Sequence, residues 1–131
     1  MPVGFVANAV SAAEDDDGLL IVTLGAPSIE DEDFYLMLQH LDEYDAQDIA
    51  LGMDQPYIEY CGQGWSWYGH IVSFTLHRDR VDVQMDAHAA QEMDNDGRIE
   101  VRFDLAEPQF QALRAALQRT FAGRAYFHEA V

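Results

Sequence analysis

Apolar side chains recur at every second position through most of this chain, and that period rules out an all-helical fold. The pattern is clearest between His70 and Asp86. Val72, Phe74 and Leu76 alternate with Ser73 and Thr75, and Val81, Val83 and Met85 alternate with Arg80, Asp82 and Gln84. Arg78-Asp79 lies between the two runs, so they predict a β-hairpin turning there. Ile99, Val101 and Phe103 alternate with Arg98, Glu100 and Arg102 in a further strand.

Earlier in the chain, Val3, Phe5, Ala7 and Ala9 alternate, and Glu14-Asp15-Asp16-Asp17-Gly18 breaks the run. The segments on either side of that break read as a hairpin. Leu19 to Leu24 is apolar on both faces, which predicts a central strand covered on both sides. Phe34 to Gln39 and Tyr57 to Tyr60 read as two more strands. Asp42 to Asp48 is polar and reads as a loop or one helical turn. Residues 62–69 read as a glycine-rich aromatic loop, and residues 87–93 as a short helix.

One segment changes period. Phe110, Leu113, Leu117 and Phe121 lie at i, i+3, i+7 and i+11, which makes one apolar stripe on a helix from about Glu107 to Ala122. Pro108 suits the first turn, Glu107 and Arg119 sit at the ends that favour their charges, and Gly123 suits the helix exit. The stripe needs an apolar surface, and the inner face of the sheet supplies it. The expectation is an α+β fold: a mostly antiparallel sheet of about six to seven strands with one C-terminal helix packed on it. The 131 residues have the size of a single domain spanning 1–131, and no linker or repeat divides them.

Charge narrows the function. The chain has 24 acidic residues, and its seven basic residues are all arginine. Residues 1–77 hold 14 carboxylates and no Lys or Arg; residues 78–131 hold ten carboxylates and all seven arginines. Such a field repels nucleic acid and anionic lipid and attracts basic partners, although acidity also keeps proteins soluble. No apolar run is long enough to span a bilayer, the start of the chain lacks a basic, apolar leader, and Cys61 is the lone cysteine. The expected location is the cytoplasm.

Candidate chemistry is thin. Asp94-Asn95-Asp96-Gly97 resembles the middle of an EF-hand loop, with Glu92, Asp94 and Asp96 at positions 1, 3 and 5. Phe103 then falls where the bidentate carboxylate belongs, so a turn explains the segment better. Cys61 and His70 could meet across a hairpin, but no oxyanion hole or orienting group accompanies them. His40, His70, His77, His88 and His128 show no ligand spacing. No glycine-rich loop opens a helix and there is no lysine, so phosphate binding is not expected. No metal, cofactor or enzymatic activity is expected.

Trp65-Ser66-Trp67-Tyr68 is the remaining feature. Aromatic rings between glycines are common interface anchors, and core packing is the alternative use of the same rings. With the acids nearby, the candidate partner-binding residues are Trp65, Trp67, Tyr68, Asp42, Glu43, Asp45, Asp48 and Asp54.

Tyr35-Leu36-Met37-Leu38-Gln39, Asp48-Ile49-Ala50-Leu51-Gly52-Met53-Asp54 and Tyr57-Ile58-Glu59 resemble the immunity protein 10 family of bacterial polymorphic toxin systems. Gln63-Gly64, Ser66, Tyr68-Gly69, Ile71 and Val101 to Leu105 add to the likeness, which runs from about Phe5 to Phe121. The resemblance implies a cognate inhibitor that binds a toxin domain and protects the producing cell. It brings no catalytic residues. The chain departs from the pattern at Trp65 and Trp67, where smaller or more polar residues are expected. A basic toxin domain such as a nuclease would suit the charge. An acidic protein-binding or DNA-mimic module, or a small enzyme, would be the alternatives, and the oligomeric state is open.

Overall fold

The computed structural model describes residues 3–7, 9–14, 19–26, 34–41, 46–50, 56–60, 66–93 and 96–130. It is α+β and mostly antiparallel, but it holds two sheets of five strands rather than one sheet of six or seven.

The first sheet contains β1 (Val3–Ala7), β7 (Ile71–His77), β8 (Arg80–Met85), β9 (Arg98–Phe103) and β10 (Phe127–Ala130), in the order β1-β9-β8-β7-β10. Its middle is antiparallel, whereas both edge strands, β1 on β9 and β10 on β7, pair in parallel. The second sheet is an antiparallel meander in chain order: β2 (Ala9–Glu14), β3 (Leu19–Ala26), β4 (Phe34–Leu41), β5 (Tyr57–Tyr60) and β6 (Ser66–Tyr68). Helices α1 (Ala46–Ala50), α2 (Ala87–Met93) and α3 (Glu107–Thr120) complete the described elements.

Four features differ from the sequence reading. The alternation from Val3 to Ala9 belongs to two strands in different sheets, β1 ending at Ala7 and β2 starting at Ala9. Residues 66–68 of the expected aromatic loop form strand β6. Val72 does not share a face with Phe74 and Leu76. Ile71 pairs with Met85 while Ser73 pairs with Gln84, so Val72 is the extra residue of a β-bulge and is 55% exposed. Ile71 takes the inward place instead. Strand β10 follows the helix and has no sequence signature, since His128, Glu129 and Ala130 are exposed and carry no alternation.

The inner faces of both sheets and α3 share one core. Leu20, Val22, Leu24, Leu36, Leu38, Ile58 and Tyr60 enter it from the meander, and Phe74, Leu76, Val81, Val83, Met85, Ile99, Val101 and Phe103 from the other sheet. The expected stripe of Phe110, Leu113, Leu117 and Phe121 is buried, each side chain contributing about 1.5–3 kcal/mol. The backbone of α3 lies against β2, β3 and β4. At its end, the Phe121 ring sits 4.7 Å from Phe74 of β7 and stacks on Phe127 of β10 at 5.2 Å. The helix therefore packs on the meander, and Phe121 just beyond its end reaches the other sheet.

Candidate partner-binding face

Period-2 alternation in β4 and β5 sends Leu36, Leu38, Ile58 and Tyr60 inward. It leaves Tyr35, Met37 and Gln39 of β4 with Tyr57 and Glu59 of β5 on the opposite face. The register aligns Met37 with Glu59, Gln39 with Tyr57, Glu59 with Ser66 and Tyr57 with Tyr68. Adjacent strands thus gather these side chains into one continuous patch.

Glu59 is the anomaly of that patch, because it is only 3% exposed. A buried carboxylate is costly unless hydrogen-bonded. Tyr57 donates its hydroxyl to Glu59 Oε1 at 2.7 Å, and Tyr35 donates its hydroxyl to Glu59 Oε2. Burial pushes the Tyr57 phenol above its ordinary pKa; the Ser66 hydrogen bond opposes this and the Glu59 carboxylate adds to it. The Tyr57 hydroxyl therefore keeps its proton and remains a donor. The Tyr57 ring lies 5.2 Å from the Tyr68 ring in a tilted pair, and Tyr68 is 41% exposed. Tyr35, Met37, Gln39 and Tyr57 are half-buried.

Of the residues the sequence singled out, Tyr68 is on this face. Trp67 holds the register position opposite the core residue Ile58, one residue out of phase with Tyr68. Asp48 lies in α1. Trp65, Asp42, Glu43, Asp45 and Asp54 lie outside the described residues, as does Cys61. Sequence reasoning missed Tyr35, Met37, Gln39, Tyr57 and Glu59 as site residues. The available signal was Tyr35, Gln39, Tyr57 and Glu59 at alternate positions of two strands whose intervening residues Leu36, Leu38, Ile58 and Tyr60 suit a core.

The open face of the other sheet differs. A concavity of about 500 Å³ there is lined by residues including Ser73, Thr75, Arg80, Gln84, Arg98 and Glu100. Its arginines are largely matched internally. Arg80 meets Asp79 at 3.0 Å, Asp82 at 3.2 Å and Glu100 at 3.8 Å, and Arg102 meets Glu100 at 3.0 Å.

The other candidates resolve into local structure. Asp96 Oδ1 accepts the Arg98 N–H at 3.2 Å and Gly97 has φ +78°, so Asp96-Gly97 is a turn. His70 Nδ1 lies 2.7 Å from Asp86 Oδ2, and the His70 ring is 5.3 Å from His88. No group of three His, Cys, Asp or Glu among the described residues could hold a metal ion. No helix among them is long and apolar enough to cross a membrane.

The model of one family, Immunity protein 10, matches residues 6–111, and the chain belongs to that family. The search of curated proteins and the search of solved structures each found no match.

Proposed function

We propose that this chain is an immunity protein that binds and neutralises a cognate toxin domain of a bacterial polymorphic toxin, and that it acts in the cytoplasm by binding, without catalysis. The family match supports the class. The observation that carries the finer reading is the partition of charge between the two sheets. The meander spans residues 9–68, and that stretch holds 14 carboxylates and no Lys or Arg. Residues 69–131 hold ten carboxylates and all seven arginines. A basic toxin domain, such as a nuclease, is drawn to one side of such a molecule and oriented by it.

The test is co-expression with the toxin domain encoded by the adjacent reading frame. The wild-type chain should restore growth, and the purified pair should form a complex. Cys61→Ala should protect equally well. Absence of both rescue and binding would reject the reading, and loss of protection in a folded Cys61→Ala protein would reopen catalysis.

A further inference from the structure

We propose that the outer face of the meander, centred on Met37, Gln39, Tyr57 and Tyr68 over the buried Glu59, is the docking surface for a basic protein surface. This rests on the immunity reading above and deepens it by naming the face and the chemistry of its occupant.

Charge complementarity selects this sheet. Its strands and connections carry no Lys or Arg, and the acids cluster in the connections: Asp15 to Asp17 between β2 and β3, Glu30 to Asp33 between β3 and β4, and five more between β4 and β5. The opposite sheet presents Arg80, Arg98 and Arg102 among Asp79, Asp82 and Glu100, a largely self-compensated face that offers a basic partner less attraction.

Long-range attraction alone gives little affinity, because exposed ion pairs are screened by water and salt and contribute little each. The tyrosines supply the short-range part. Tyr is enriched among interface anchors, and its ring face attracts Arg and Lys. These rings are also set before the partner arrives. Glu59 holds the Tyr35 and Tyr57 hydroxyls, and Tyr57 backs Tyr68. A side chain already fixed in its rotamer avoids an ordering cost on binding. Glu59 therefore acts as a positioning residue: too buried to meet the partner, it fixes the residues that do.

The experiment uses the full chain and the purified toxin domain encoded by the adjacent reading frame. Tyr68→Arg and Met37→Arg place a cation on the proposed surface, and each should weaken binding by more than about tenfold, mainly through a faster off-rate. Thr75→Arg places the same cation on the opposite sheet and should stay within about threefold of wild type. Circular dichroism and melting establish that each variant folds. Hydrogen exchange on the wild-type chain gives a readout free of substitutions: the toxin domain should slow exchange in β4 to β6 and leave β8 and β9 unchanged. Wild-type binding by both folded Tyr68→Arg and Met37→Arg, or protection confined to β8 and β9, would overturn the assignment while the immunity reading stood. A wild-type chain that neither binds nor protects would instead remove that reading.

Discussion

Arg119 in the last turn of α3 grips Glu14 at the end of β2 with two nitrogens, at 2.6 and 2.8 Å. The pair ties the helix to the edge strand of the meander, and a two-pronged guanidinium–carboxylate contact fixes orientation as well as distance. Both side chains are partly exposed, at 35% and 44%, so water screens them. A double-mutant cycle of Arg119→Ala and Glu14→Ala, read by urea denaturation, should give a coupling of about 0.5–1 kcal/mol at low salt. The coupling should shrink in 1 M salt. Zero coupling at low salt would assign the attachment of α3 to its apolar stripe alone.

Removing the carboxylate of Glu59 should cost more than removing any exposed acid. Glu59→Ala removes the shared acceptor of the Tyr35 and Tyr57 hydroxyls, with an expected loss of about 1–3 kcal/mol. The double replacement Tyr35→Phe with Tyr57→Phe leaves the carboxylate buried without either donor and should be at least as damaging. Chemical denaturation of the set decides the matter. A Glu59→Ala protein as stable as wild type would show that the carboxylate is dispensable to the face.

Gly97 and Gly123 share nearly the same backbone, with φ of +78° and +77°, yet their surroundings differ. A Cβ on Gly97 would stand 2.9 Å from Ala90 Cβ and 3.1 Å from the Met85 carbonyl oxygen, whereas a Cβ on Gly123 would meet nothing within 4 Å. Gly123→Ala should therefore cost only the left-handed backbone, about 1–2 kcal/mol. Gly97→Ala adds overpacking of about 1–3 kcal/mol. Thermal melts of the two variants should separate these contributions, and equal losses would refute the steric share.

Burial raises the Asp86 carboxyl, but the Ala89 N–H, the hydrogen bond from His70, and the charges of His70 and His88 outweigh it and hold it below the usual carboxylate value. A depressed folded pKa means stabilisation that is fully present above the unfolded value of about 3.9 and lost as pH falls through the lower folded value. The stability gap between wild type and Asp86→Asn should be widest near neutral pH and should close below about pH 3.9. Urea midpoints across that range are the measurement, and a gap that widens on acidification would contradict the assignment.

Association with the toxin domain should slow steeply as salt rises, because the Debye length falls from about 10 Å at 0.1 M to about 3 Å at 1 M. Asp48→Arg should lower the on-rate and leave the off-rate nearly unchanged. Stopped-flow mixing reads both. An on-rate indifferent to salt would reduce the acidity to a solubility feature.

Much of this architecture is legible from residue patterns. The hairpin of β7 and β8, the helix stripe ending in Phe121, the short α2 and the α+β class all follow from local periodicity. What escapes is non-local. Whether Val3 to Ala9 is one strand or two depends on a partner near Ile99, and nothing in the segment states that. Val72 looks like a core residue until the bulge displaces it, a consequence of register against Met85 and Gln84. The binding face is half legible. Tyr68 is conspicuous by type, whereas Glu59 looks like one acid among 24. Only strand pairing brings it between Tyr35 and Tyr57.

The order of strands in the two sheets also sets an order in time. The meander uses residues 9–68, each strand pairing with its neighbour in the chain, so during synthesis it can close early. Its apolar underside needs α3, which ends at Thr120, and at about 5–20 residues per second the ribosome takes roughly 3–10 s to travel from Tyr68 to there. Through that interval Leu20, Val22, Leu36, Leu38 and Ile58 lack their cover, and β1 waits for Ile99. A nascent chain with its meander paired and its core still open exposes apolar surface for that interval, the stage at which such a chain is most prone to aggregate.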